Sequence, residues 1–316
     1  MWFIYWFVLY LSTLFYDYFI LRGKKGTTRF FLLLISSTST LTWPLFVPDS
    51  LLPIRFIFAI MSFGKIIKTI EIAYGRLCDP KMLESFARYL IWSFNIADTF
   101  WAETFDEKRK ARSDGRIRIG RGLLKTLLFL GFLVLSTSKP ELHSYFWLSM
   151  FWFLWCCYFA ASGFGDIATG MVMQLGVNVS PIFNRPFMAR SPRDFWSRRW
   201  NLCFRDISYR NIFLPLHGHK RPLLATFLVF LMSGIVHEYI IFSSVGFSVF
   251  GGMLIFFMLQ WIATVLQTVV AKKMGKKELM PKGLAVSLHI LWLLLTIPFF
   301  AIPFLKVLPV TTWRLW

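Results

Sequence analysis

The stretch LMSGIVHEYII, residues 231–241, sets a histidine and a glutamate inside a long apolar run. That run extends from about Pro222 to Phe242, and a helix of roughly 20 apolar residues suffices to cross a bilayer. Ionisable groups at membrane depth are costly and face a protein interior or a water-filled cavity, which makes His237 a candidate functional residue. The plainer alternative is a packing histidine bonded to a backbone carbonyl of a neighbouring helix.

The rest of the chain has the same character. Of its 316 residues, 56% are hydrophobic and 19% aromatic, and the mean hydropathy is +0.57. A soluble domain of this length does not need so much apolar surface, so the composition predicts a multi-pass membrane protein. A formal charge of +19 fits that apolarity only if lysine and arginine are confined to a few loops. Such confinement points to anionic headgroups or an anionic substrate and argues against nucleic acid. Cys78, Cys156, Cys157 and Cys203 show no paired spacing, so neither a disulfide framework nor a metal site is indicated.

Eight spans are expected, at about 1–21, 30–47, 51–74, 122–138, 145–176, 222–242, 249–271 and 283–305. The first, apolar from its outset, reads as a retained helix rather than a signal peptide. The third carries Arg55, Lys65, Lys68 and Glu71 and is read as partly interfacial or shielded by neighbours. Residues 79–101 suit a helix lying on the membrane surface. The charge run DEKRKARSDGRIRIGR (106–121) reads as a solvated loop, and a break or re-entrant bend is expected around SGFGD (162–166), near Asp166. Lysine and arginine gather in 22–29, 75–121, 178–221 and 272–282, while the turns at 48–50, 139–143 and 243–248 are nearly free of them. The positive-inside rule then places the basic segments in the cytosol and both termini on the other side. One integral domain, 1–316, is expected.

Signatures of soluble enzymes are missing: there is no GxSxG elbow, no phosphate-binding loop and no HExxH. HGH (217–219) lacks nearby carboxylates or thiols and reads as a loop. His289 also falls within a span and is held open as a second residue lining the same cavity as His237.

FNRPF (183–187), SPRDFWSRRWN (191–201), NIFLPLHG (211–218) and SGIVHEY (233–239), preceded by ASGFGDIATGMVMQLG (161–176), resemble the membrane-bound O-acyltransferase superfamily. The resemblance covers the motif core, 161–242. FWSRRWN with SGxxHE is similar to the wax synthase-like branch, whose members move a fatty acyl group from acyl-CoA to a long-chain alcohol or a sterol. SGFGDIATG and FNRPF also resemble the branch that acylates polysaccharides and other exported acceptors. That branch shows RRWH and WHG where this chain has Asn201 after Trp200 and Glu238 after His237, which favours the lipid branch.

The resemblance implies an all-α integral membrane fold of about eight transmembrane helices plus interfacial helices around a central acyl-transfer cavity. It assigns His237 as the catalytic base and Asn201 as its partner, with Trp196, Arg198, Arg199, Trp200 and Glu238 as substrate-binding or supporting residues. Arg190, Arg193 and Arg205 lie in the same basic block and suit the phosphates of coenzyme A. No cofactor or metal is implied beyond acyl-CoA as donor. The expected partners are acyl-CoA, a long-chain alcohol or sterol and membrane lipid, with homo-oligomerisation left open. The expected compartment is the endoplasmic reticulum membrane in a eukaryote or the inner membrane in a bacterium. A proton-sensing transporter is the non-enzymatic alternative; it accounts for His237 but not for FWSRRWN.

Overall fold

The computed structural model describes residues 2–23, 26–76, 78–95, 97–139, 141, 144–275 and 280–308. The chain termini and parts of the turn at 139–143 and the loop at 272–282 lie outside the described residues. Helices α1 (Trp2–Gly23), α2 (Thr27–Thr42) and α3 (Leu52–Ala73) come first, then the short α4 (Phe86–Phe94) and strand β1 (Thr99–Trp101). Two long helices follow, α5 (Phe105–Ser138) and α6 (Phe146–Met173), then strand β2 (Val177–Val179) and the short α7 (Pro192–Arg198) and α8 (Leu202–Ser208). The chain ends in α9 (Pro222–Val245), α10 (Gly252–Lys273), α11 (Lys282–Thr296) and α12 (Pro298–Val307).

A helix or helix pair lies at each of the eight expected positions, but among the described residues only four or five of them are long and apolar enough to cross a membrane, so the count of eight is not borne out. By length and apolarity, α5, α6, α9 and α10 are able to cross a membrane, and α11 with α12 makes a fifth if that pair, bent by 52°, is one span. Pro298 opens α12 at the bend, as expected where a proline removes a helix hydrogen bond. The protein is an all-α integral membrane protein. An exposed apolar face, including Leu123, Leu127 and Val134 of α5, suits lipid rather than water.

The charges of α3 are shielded. Lys65 meets Asp17 of α1 at 3.0 Å and donates to Ser36 of α2 at 2.7 Å. Lys68 lies 4.3 Å from the centre of the Trp92 ring. Glu71 accepts from Arg210 at 2.6 Å. A buried ion pair contributes little net stability, but removing one partner strands the other charge at a cost of roughly 3–5 kcal/mol.

Three expectations are corrected. Residues 106–121 are not a loop: they are the first half of α5, started by a capping box in which Thr104 and Glu107 satisfy each other's backbone N–H groups. Such a cap supplies partners that the first helical turn otherwise lacks. The chain does not break at SGFGD, where α6 is continuous and Gly163 serves helix packing. A Cβ on Gly163 would sit 2.7 Å from Thr126 Oγ1, one on Gly122 2.8 Å from the Gly163 carbonyl oxygen, and one on Gly170 2.8 Å from that of Gly115. The glycines thus let α5 and α6 touch backbone to backbone, as small residues do in membrane helix pairs. Asp166 sits in that seam with Arg121 Nε at 2.9 Å and Lys125 Nζ at 2.7 Å, so its charge is answered across the pair.

Residues 79–101 are not one surface helix either. They form a 3₁₀ turn, α4 and β1, and α4 buries Tyr89 and Trp92 in the core made with α1 and α3. β1 pairs antiparallel with β2, Phe100 opposite Asn178. This ribbon, which alternation in the sequence is too short to signal, ties the start of α5 to the end of α6.

The α5–α6 seam predicts a selective sensitivity. Gly163→Val should lower the thermal midpoint and the yield of the purified protein. Gly131→Ala, where nothing lies within 4 Å, should be neutral or stabilise by up to about 1 kcal/mol. Equal behaviour of the two variants would contradict a close-packed seam.

Candidate active site

The segment between α6 and α9 is folded tightly against the helices. Asn184 N donates to Arg199 O and Leu202 N to Ile182 O, both at 2.8 Å, so the FNRPF loop and the α7–α8 turn brace each other. Ser191 caps α7 and Pro192 opens it, a favourable helix start. One π-helical turn, Tyr209–Phe213, continues α8. Its Arg210 bonds both Glu71 of α3 and Asp98 beside β1, at 2.6–2.9 Å. Burial opposes the Arg210 charge, yet the hydrogen bonds it donates to Asp98 and Glu71 outweigh that and hold its ionisation above the usual arginine range. An open recess of about 380 Å³ lies beside this network, lined by Arg76, Arg210, Leu214 and Pro215.

His237 lies in α9. Its Nδ1 is 2.7 Å from the carbonyl oxygen of Ser233, one turn earlier. A carbonyl only accepts, so Nδ1 carries the proton and Nε2 keeps its lone pair. The ring packs against Phe257 of α10 and Phe300 of α12, with centroids 4.7 and 5.9 Å away. Trp196 of α7 meets the same Phe257 at 5.6 Å. Phe257 therefore joins FWSRRWN to the histidine helix.

Glu238, the next residue, does not share that wall. Its Oε1 accepts from Leu254 N at 3.0 Å, in the first turn of α10, where a helix presents unpaired N–H groups and a positive dipole end. Glu238 thus docks α10 onto α9. Gly234 brings the two helices together at the same level, since a Cβ there would lie 2.8 Å from Leu254 Cδ1.

Asn201 sits between α7 and α8 with φ 44°, a left-handed conformation that asparagine tolerates better than most residues. Its Oδ1 accepts from Phe204 N at 3.3 Å and from Cys203 Sγ at 2.9 Å. The oxygen is the cap of α8, and the Nδ2 amide is the end left to donate elsewhere. Trp200 stacks on Phe195, with centroids 5.3 Å apart and planes at 17°.

The two adjacent arginines differ. Arg199 Nε donates to Asp194 at 2.7 Å and its Nη1 to Arg185 O at 3.2 Å, which binds α7 to the turn before it. Arg198 is exposed, and no side-chain partner holds it among the described residues. Arg205 reaches back to Ser197 O at 2.9 Å. His217 and His219 lie in the turn before α9, apart from the His237 wall.

Some of the site is not foreseen from sequence. Gln260 of α10, fully buried, accepts from Trp196 Nε1 at 3.4 Å and Trp292 Nε1 at 3.1 Å, and donates to Thr296 at 2.8 Å. It pins α7, α10 and α11 together. An amide in the middle of the apolar run 249–271 is the signal that could have found it, although Gln267 gives the same signal.

Residues 179–259 match the Membrane bound O-acyl transferase family, and that segment holds α7, Asn201, His237 and Phe257. A probable long-chain-alcohol O-fatty-acyltransferase 2 of Arabidopsis thaliana is 32% identical over 133 residues, covering 38% of this chain and 38% of its own. The acyl-CoA–sterol O-acyltransferase 1 of the same plant is 29% identical over 127 residues, covering 38% and 37%. A long-chain-alcohol O-fatty-acyltransferase of Simmondsia chinensis is 27% identical over 187 residues, covering 54% of this chain and 51% of its own. The match therefore spans between about a third and a half of these relatives. Through residues 179–259 the chain is similar to the membrane-bound O-acyltransferase family and, there, to long-chain-alcohol and sterol O-acyltransferases.

Proposed function

We propose that the protein transfers a fatty acyl group from acyl-CoA to the hydroxyl of a lipid acceptor, a long-chain alcohol or a sterol. The observation that carries this reading is the state of His237: one ring nitrogen is tied to Ser233 O, so the other is a free base facing an aromatic wall. The similar proteins are named for acyl transfer to long-chain alcohols and to a sterol, which supports that substrate class.

In the proposed reaction Nε2 of His237 takes the proton of the acceptor hydroxyl as that oxygen attacks the thioester carbonyl. The developing oxyanion needs a donor, and the Nδ2 amide of Asn201 is the group offered. Collapse expels the coenzyme A thiolate, which recovers the proton from the His237 imidazolium. The ester forms, the thioester breaks, and the histidine returns to its starting state with no acyl-enzyme. Arg198, an exposed cation of the basic block with no side-chain partner among the described residues, is suited to the donor's phosphates. The reaction would run at a membrane, that of the endoplasmic reticulum in a eukaryotic host or the inner membrane in a bacterium.

The test is acyl transfer by purified protein supplied with labelled acyl-CoA and a panel of long-chain alcohols and sterols. Wax or sterol esters should form. His237→Gln should accumulate normally and lose about 10²–10⁴ in turnover. Asn201→Asp keeps an oxygen for the α8 cap but removes the amide donor, so it should fold and lose about 10²–10³. Near-normal turnover by Asn201→Asp would leave Asn201 a cap alone. Absence of product from every acceptor would sink the acyltransfer reading.

The two arginines should separate as well. Arg198→Ala should raise the apparent KM for acyl-CoA several-fold at unchanged thermal stability, whereas Arg199→Ala should lower stability by freeing Asp194. An unchanged donor KM in Arg198→Ala would remove it from the donor site.

A further inference from the structure

His289 of α11 is 3% exposed, and neither ring nitrogen has a hydrogen-bond partner among the described residues. A buried imidazole carries one donor and one acceptor, and leaving both unanswered is costly. Several polar side chains of the same wall do have partners. Trp196 and Trp292 both donate to Gln260, and Gln260 donates to Thr296.

Its place in the fold suggests what it answers. The His289 ring packs on Phe195, 5.1 Å between centroids, and Phe195 meets Trp196 at 5.0 Å. Through Trp196 and Phe257 this is the same aromatic wall that ends at His237. The depth differs. α9 and α11 begin at Pro222 and Lys282, both next to basic segments, hence on the same membrane side by the charge rule. His237 is about 22 Å along its helix from that end and His289 about 10 Å along its own, at 1.5 Å per residue.

We propose that His289 binds the pantetheine arm of the acyl-CoA donor, at the amide remote from the thioester. The inference rests on the acyltransfer reading above. With the thioester carbonyl at His237 and the phosphates at the basic face, the arm is the part of the donor that occupies the level between them. An amide offers one N–H and one C=O, the complement of the free donor and acceptor of His289.

His289→Phe, with His289→Gln beside it, tests the assignment in the full-length purified protein with a long-chain alcohol as acceptor. The phenyl ring keeps the contact with Phe195 and removes both nitrogens, so thermal stability should hold or rise. The KM for palmitoyl-CoA should rise about three- to tenfold, the loss of one or two hydrogen bonds, while the KM for the alcohol is unchanged. Gln, with one donor and one acceptor, should restore part of the loss. The decisive arm is palmitoyl-N-acetylcysteamine, a thioester that keeps the amide near sulfur and lacks the remote one: wild type and His289→Phe should use it equally well. A defect that persists with the truncated donor, a change in alcohol KM instead, or unchanged palmitoyl-CoA kinetics would each overturn the assignment. A wild type inactive with every donor would overturn the acyltransfer reading and this one with it.

Discussion

Two carboxylates closing on one guanidinium, Glu71 and Asp98 on Arg210, hold the molecule's two halves in one arrangement. Glu71 belongs to α3, Asp98 to the approach to β1, and Arg210 to the π-turn after α8. This junction holds the α8 end of the basic segment, while α7 is held separately through Trp196 on Gln260 and Phe257. Burying three charges is expensive, and their mutual geometry offsets that cost only when every hydrogen bond is made. Here Arg210 meets both oxygens of Asp98 and Oε1 of Glu71, a planar fork used as arginine uses it best. The junction also fixes where Asn201 stands, since α8 lies between them.

From that platform the site is assembled by aromatic rings rather than by charges. Phe257 receives Trp196 from one side and His237 from the other. Gln260, one turn further along α10, keeps the two indoles of Trp196 and Trp292 in place. Glu238 holds the start of α10 against α9 at the level of the histidine. A histidine in such a setting is kept in one tautomer by a backbone oxygen of its own helix, so its orientation does not depend on any mobile partner.

The sequence makes the helices legible because their apolar runs are long, and it makes His237 legible because an ionisable residue at membrane depth is costly. What it hides is what packing decides. Gly122 and Gly163 look like helix breakers, and only the approach of α5 to α6 shows them to be contact surfaces. The charge run 106–121 looks solvated, and its helicity comes from the Thr104–Glu107 cap and from packing against α6. Arg198 and Arg199 are indistinguishable as letters, yet Arg199 is bound to Asp194 while Arg198 is exposed, with no side-chain partner among the described residues. Asn201 is visible as a motif residue, while its capping duty depends on a left-handed φ that no pattern of residue types reveals.

The central claim is that the α7–α9–α10 aromatic wall is where acyl transfer occurs, with Nε2 of His237 as the base. The most direct measurement is an experimentally determined structure of the protein bound to a non-hydrolysable thioether analogue of acyl-CoA. The account predicts the atom that replaces the thioester carbonyl carbon beside His237, with room for an acceptor oxygen about 3 Å from Nε2, and the arm running past Trp196 towards α7. An analogue whose sulfur lies away from this wall, with His237 still sealed against Phe257 and Phe300, would contradict it.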